Sequence, residues 1–570
     1  MDRRTVWAIL LMMAIAIAPA ILVKRSAKTS APAAGKAPSP DSGAPAIPSQ
    51  PRADTPALGT ADSVAPVAPA AQRADTVRVT SPLYTYGIST VGGRLVEVKL
   101  LGYRSMAPGD ARAVAELLPP DSRLLDLALV LGTDTVSLRD WHFTASAVSL
   151  PLAGPTPLRL SASKGPVSVA LSYTFRPDDY QIGVAGQVTG VGPNGGQLLL
   201  GMGPTLANTE ADAEENHRAL ALVTKRNETE RTDFSSLKPG EPRTLSGPFD
   251  WVAIKSKYFV TAVLAFDSAG GGISGVTAAG RKTDEKRSTS ADVRLSLPLQ
   301  PSGTFGYTVY AGPMEYDRLG AMGHDFDDVN PYGWPGFRTV IRPVAGAVWW
   351  LLVWMHEHLS LPYGLVLVFF GILVRILLWP LNQKAMRANL QLQGVQPLMK
   401  EIQDKYKGDP PRLQQEMFKL YKEHSVNPLG GCWPMLLPMP VLFALFFVFQ
   451  NTIELRGASF LWLPDLSRPD PFYIIPLIMG LSMFGLSKMG QMGMEPNPQM
   501  KMMLYAMPVM MTFLFLNFAS GLNLYYAVSN IASIPQQWLL SRERQKRLAR
   551  QIVEVKTASP APSGPRKRKA

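Results

Sequence analysis

The sequence has a single cysteine, Cys432, among 570 residues. One thiol excludes an intrachain disulfide and a cysteine metal cluster. Its setting, "NPLGGCWP" at the head of an apolar run, reads as that of a small buried hydrophobe. Histidine is scarce too, with six copies. His356 and His358 flank Glu357, but residues two apart do not share a helical face, so no metal site is expected there. The stretch "GVTAAGRKT" (275–283) is a near miss for a phosphate loop: it has Arg281 where the pattern needs lysine, and strand-like sequence flanks it, so no nucleotide is expected. No Ser-His-Asp order and no carboxylate pair stands out, so the sequence offers no enzyme chemistry and implies no cofactor. Finally, no Asp, Glu or His lies deep in the five long apolar runs between residues 361 and 540. That argues against a proton relay, which needs titratable partners.

What is present is basic charge, unevenly placed. The net charge is +13, and the basic residues gather in "SRERQKRLARQ" (541–551), in "RKRK" (566–569) and between apolar runs. Basic charge beside apolar spans is the cytoplasmic signature of a membrane protein. A nucleic-acid or ribosome contact by the tail is the second reading.

The chain divides by texture. Residues 1–23 hold "DRR" and then "VWAILLMMAIAIAPAILV". Charge followed by an apolar run suggests a signal peptide, and "APA" looks like a cleavage site. The run continues past it to Val23, however, and nearly reaches spanning length, so an uncleaved transmembrane anchor is expected. Residues 24–76 are rich in Ala, Pro and Ser, a composition that stays extended as a tether. From 77 to 315, segments such as "PVSVALSYTFRPDDYQIGVAGQVTG" alternate apolar and polar residues between turn signals, which predicts a β-sandwich. Residues 335–360 are Trp-rich with polar ends, as in a helix lying in the membrane interface.

Residues 361–541 hold five apolar runs, at 361–381, 428–450, 471–489, 502–519 and 521–540. Each approaches the ~20 residues that cross ~30 Å of hydrocarbon. The loop 382–427 is basic, with Lys384, Arg387, Lys400, Lys405, Lys407, Arg412, Lys419 and Lys422, whereas 451–470 has only Arg456 and Arg468 against three acids. Six transmembrane helices, five of them forming a core, then place both termini and the tail 542–570 in the cytoplasm and export the β-domain. The loop 382–427 reads as a helical hairpin. Leu392, Val395, Leu398, Ile402 and Tyr406 form one apolar stripe, "GDPP" breaks the chain, and Leu413, Met417, Leu420 and Tyr421 form a second. The two stripes suit helices that pack together, and equally a docking lever.

Two features of the runs point to a wet cavity. Pro434, Pro438, Pro440, Pro508 and Pro535 interrupt them, and freed backbone groups are tolerated where helices line water. On the last run Asn523, Tyr526, Asn530, Ser533 and Gln537 recur every three or four residues as one polar stripe. Simple interhelical hydrogen bonding is the plain alternative for any one of them. Arg375, inside "GILVRILLWPLNQ", lies six residues from Leu381, about 9 Å at 1.5 Å per residue. Snorkelling explains how the charge is tolerated but not its use. With no acid beside it, Arg375 facing the stripe suggests a hydrated, positively charged recess.

"LVRILLWPL", "VNPLGGCWPMLLPMPVLFALFFVFQNTIELR", "LPDLSRPDPFYIIPLIMGLSMF" and "ASGLNLYYAVSNIASIPQQWLL" resemble, in order and spacing, the core of the YidC membrane protein insertases. The anchor, tether and β-domain resemble the Gram-negative form of that family in arrangement. The resemblance implies a polytopic α-helical bundle plus an exported β-supersandwich, in the bacterial inner membrane. It implies a protein that inserts and folds nascent inner-membrane proteins, alone or with the Sec translocon, without nucleotide. It also implies a hydrophilic groove open to the cytoplasm and lipid, with Arg375 as the groove arginine and Tyr526 as the tyrosine of the last helix. Further candidate partners are membrane lipids and, through the hairpin and basic tail, the ribosome and the signal recognition particle with its receptor. The family often has threonine one turn before the arginine, where this chain has Gly371. Two other classes share the outline: a polytopic small-solute transporter and a membrane-anchored periplasmic binding protein. A transporter predicts internal repeats and titratable groups at midplane, and the sequence has neither. A binding protein predicts a ligand pocket in the β-domain.

Overall fold

The computed structural model describes residues 76–558 apart from 111–112, 266–271, 282–287, 334–336, 425–438 and 493–497. The anchor, the tether, Cys432, Pro434, Pro438 and the last twelve residues of the tail lie outside the described residues.

Twenty described strands between Thr76 and Pro313 form sheets of nine, six and five strands. The nine-stranded sheet is antiparallel throughout, and its centre is Phe259–Leu264, Thr304–Pro313, Gln181–Thr189 and Val167–Phe175. Val167–Phe175 buries every second residue, so its valines, Leu171, Tyr173 and Phe175 face one core. Phe259–Leu264 is buried at every residue, as a strand covered on both faces must be. One apolar cluster joins all three sheets. Tyrosine hydroxyls stitch it: Tyr86 donates to the Ala311 carbonyl at 2.7 Å and Tyr173 to the Gly93 carbonyl at 2.6 Å. The turn into Thr304–Pro313 needs glycine, because Gly303 has φ +74° and a Cβ there would lie 1.9 Å from the Val188 carbonyl oxygen.

Two short helices, α1 (Ala213–Ala219) and α2 (Tyr316–Ala321), belong to this domain. The C-terminal half is helical: α3 (Arg338–Leu359), α4 (Tyr363–Gly394), α5 (Gln396–Lys405), α6 (Pro410–Glu423), α7 (Met439–Asn451), α8 (Ile474–Gly490), α9 (Pro498–Phe515) and α10 (Ser520–Ala558). Within α4, Tyr363–Pro380 is long and apolar enough to cross a membrane. The apolar stretches Val441–Asn451, Ile474–Gly490 and Leu504–Phe515 are shorter. Part of the second run falls outside the described residues, and α8 starts only after Tyr473 turns the chain with φ +56°. Its 17 residues still rise about 26 Å, close to the hydrocarbon thickness.

Two helices outrun the apolar stretches that begin them. The helix α4 passes Pro380 and continues to Gly394, and α10 carries its regular backbone through the basic segment to Ala558. Both extensions are rich in Lys, Arg, Gln, Leu and Ala, residues that lose little rotamer freedom in a helix. The hairpin therefore starts on α4 itself. The helices α5 and α6 then pair around the "GDPP" break, where the Asp409 side chain accepts from the Arg412 N–H and Pro410 opens α6. Val395 and Leu420 are buried, Ile402, Tyr406, Leu413 and Met417 are half-buried, and Leu398 is exposed. The Leu392 side chain lies outside the described ones.

The helix α3 buries one face, with Ile341, Ala345, Val348, Trp349, Leu352 and Met355 at helical spacing. Its other side exposes Val340, Trp350, Trp354 and Leu359. His356 donates from Nδ1–H to the Leu361 carbonyl (2.7 Å) and stacks on Tyr363, whereas His358 stacks on Trp354. The two rings thus take separate partners.

The β-domain and helical half are clasped. Arg456, after the turn Ile453–Leu455, gives Nε to both Glu210 carboxylate oxygens at 2.9 and 3.0 Å. Its remaining donors reach the Arg104 and Thr209 carbonyls at 2.8 and 2.9 Å. Arg338 and Arg342 of α3 meet Asp328 and Asp327 at 2.9 and 2.7 Å. The Lys255 ammonium donates to Asn330 at 2.7 Å, and complete burial holds its pKa well below the ordinary lysine value. Glu454 accepts from the Trp349 indole at 3.3 Å. Burial pushes the Glu454 carboxyl up to about 7, with Glu315 and Asp317 adding to the rise and hydrogen bonds from its own backbone and Trp349 opposing it.

Candidate functional site

The site forms where α4 crosses α10. Close approach of the two helices rests on Gly371: a Cβ there would lie 3.2 Å from Val528 Cγ1 and 3.5 Å from the Tyr525 carbonyl. One turn on, Arg375 is partly buried, and its Nε donates to Ser529 Oγ at 2.8 Å. Among the described residues no ion pair engages it. A hydroxyl satisfies one guanidinium donor without neutralising the charge. Gln536 bridges the same pair of helices, its amide donating to the Trp379 carbonyl at 3.1 Å.

The five stripe residues separate in space. Asn523 is fully buried and donates to the Phe515 and Phe518 carbonyls at 2.9 and 3.4 Å, closing the end of α9. Its Oδ1 is buried without a partner among the described atoms. Asn530 donates to Ser482 Oγ on α8 at 3.3 Å. Ser533 bonds back to the Ser529 carbonyl at 2.7 Å, the local mode open to serine in a helix. Tyr526 is half-buried, its ring edge-on to Phe515 and Tyr525 at 5.5 and 5.4 Å. Gln537 lies against Gly490 at the far end of α8. Of the stripe, Ser533 shares the turn that binds Arg375, and Asn530 opens towards α8.

Ser529 and Gln536 carry the contact to α4 and are not in the sequence stripe. The signal for them was a second set at spacings of four and seven, Tyr525, Ser529 and Gln536, one residue round the same helix. Around this polar seam the surface is apolar. Leu377 is 72% exposed on α4 and Leu481 is 76% exposed on α8, with Leu477, Val509 and Phe513 exposed beside them. Such a face suits lipid and not water. Pro508 and Pro535 lie inside α9 and α10, and Thr512 donates to the Pro508 carbonyl at 2.8 Å.

The fold is that of an inner-membrane protein with a periplasmic β-domain: residues 354–547 match the family described as 60Kd inner membrane protein, and 76–343 match the YidC periplasmic domain. The membrane protein insertase YidC of Chlorobaculum tepidum is 30% identical over 493 residues, 81% of each chain. That of Oleidesulfovibrio alaskensis is 32% identical over 82% of this chain and 86% of its own. A solved active YidC insertase covers 82% of this chain and 93% of its own at 17% identity, with a TM-score of 0.32. The chain belongs to the YidC family of membrane protein insertases.

Proposed function

We propose that this insertase of the bacterial inner membrane works through the seam between α4 and α10. Arg375, bound to Ser529 and opposed by no carboxylate among the described residues, carries the proposal. Arg375 attracts the acidic outer tail of a nascent membrane protein into a hydrated groove, where Tyr526, Asn530, Ser533 and Gln537 offer polar contacts. This shortens the dehydrated path of the tail, since a charge at midplane costs on the order of 3 kcal/mol on insertion scales. The substrate's apolar helix then moves into lipid along the exposed faces of α4, α8 and α9.

In this reading the groove opens to the cytoplasm, where both termini and the hairpin of α5 and α6 lie, and the β-domain is exported. Basic loop charge supports that orientation. The exposed Trp350 and Trp354 of α3 support a seat for that helix in the outer interface. The Sec translocon shares substrates with the seam, and the hairpin and the basic end of α10 meet the ribosome or signal recognition particle. The test is insertion into proteoliposomes. Arg375→Ala should slow substrates with acidic tails about tenfold, and Arg375→Lys, which keeps the charge, should restore most of the rate. Wild-type rates in Arg375→Ala would sink the electrostatic reading.

A further inference from the structure

The β-domain contains a pocket of about 510 Å³ whose polar lining includes Arg94, Arg123, Arg139, Arg281, Asp121 and Asp292. Its size falls within the ~300–1,000 Å³ usual for small-ligand sites. Four guanidinium groups face two carboxylates, and the pairing is lopsided. Arg281 reaches Asp121 at 2.7 Å and Asp292 at 2.8 Å, and Arg123 lies 3.4 Å from the same Asp292 oxygen. Both acids are thereby engaged. Burial alone would raise the Asp292 carboxyl, yet the hydrogen bond and charge of Arg281, with Arg123 and Arg294, hold it below its usual value.

Arg94 and Arg139 are left over. Among the described residues neither is in an ion pair. Arg94 gives Nη1 to the Ser122 carbonyl at a long 3.5 Å, and its Nε is buried with no partner. A buried, unsatisfied donor on a permanent cation is costly to keep and calls for an acceptor. The loops that carry these groups are tied in advance. Gly92 has φ +81° and donates to the Trp141 carbonyl at 2.8 Å, and a Cβ on it would lie 2.8 Å from the Arg139 carbonyl. Leu95 donates to Leu124, and Arg123 donates from its backbone to Gly203. Arg94, Arg123 and Arg139 are therefore held together by main-chain bonds, with little ordering left for a ligand to impose.

We propose that this pocket binds a phosphate-bearing group on the exported face, held chiefly by Arg94 and Arg139. Planar guanidinium forks match phosphate oxygens in pairs, and the pocket's surplus of two positive charges suits an anionic phosphate group. The phosphate comes either from a soluble phosphate ester or from the headgroup of an anionic lipid. The site is independent of Arg375 and of the groove.

The test uses full-length protein in phosphatidylcholine nanodiscs, titrated with inorganic pyrophosphate by calorimetry. Saturable binding is expected, weakening as salt rises and falling at least about tenfold in Arg94→Ala/Arg139→Ala. Arg139 is exposed, so Arg139→Ala is expected to keep the fold, and it should by itself weaken binding severalfold. Competition by phosphatidylglycerol vesicles marks a lipid headgroup as the source, and absence of competition marks a soluble ester; both support the site. No saturable binding in the millimolar range, or equal affinity in wild type and Arg139→Ala, overturns it.

Discussion

Two arginines, in two regions of this chain, are treated in opposite ways. Arg456 is buried where the β-domain meets the helical half, and every guanidinium nitrogen it offers has a partner, including both oxygens of Glu210. Arg375 is partly buried in the helical bundle and has a serine hydroxyl. The first arrangement fixes geometry, since a buried charge that loses its partner is heavily penalised. The second leaves a charge opposed by no carboxylate among the described residues, as the proposed attraction of an acidic tail requires. On the proposed function, the difference separates a clasp from a lure.

Breaking the clasp should have the largest effect. Arg456→Ala strands Glu210 in a buried site and should cost about 3–5 kcal/mol, read as a lowered Tm of the purified protein. Adding Glu210→Gln should recover part of that loss. If Arg456→Ala left Tm unchanged, the two regions would not differ as described. Arg375→Ala, by contrast, removes one hydroxyl contact and should change stability by less than about 1 kcal/mol while slowing insertion.

The seam itself can be pried open. Gly371→Val places methyls against Val528 and Tyr525, and overpacking of this kind costs about 1–3 kcal/mol. It should also part Arg375 from Ser529, so insertion falls with stability. An unchanged Tm would show that the helices have room to spare.

A smaller effect is expected at Glu454. Its folded value of about 7 lies above the ordinary 4.5, so the neutral form is the one the fold prefers. The stability it contributes is complete below 4.5 and is lost as pH rises through about 7. Glu454→Gln should remove that loss and stabilise the junction at pH 8 by on the order of 1 kcal/mol. A Tm difference between variant and wild type that did not grow from pH 5 to pH 8 would contradict the assignment.

How much of this was legible in the sequence follows the range of the interactions. Arg375 stood out because one charge among apolar residues needs no partner to be noticed. The alternation of Val167–Phe175 likewise announces a half-covered strand by itself. Ser529 was hidden because the face that α10 turns towards α4 is chosen by the missing side chain at Gly371, over 150 residues earlier in the chain. Asn523 and Asn530 looked equivalent by spacing, yet one closes the end of α9 and the other reaches α8. The Arg456–Glu210 pair spans 246 residues and leaves no periodic trace. The run of α10 through the basic segment was blurred because charge marks a membrane edge without breaking a helix.

The most direct measurement of the central claim is site-specific photocrosslinking from position 526 or 533 to a stalled nascent chain with an acidic outer tail. Crosslinks to the tail are expected in the Arg375 protein, and their loss in Arg375→Ala but not in Arg375→Lys. Equal crosslinking in all three would mean that the tail finds the seam without the charge, and that Arg375 is not the lure.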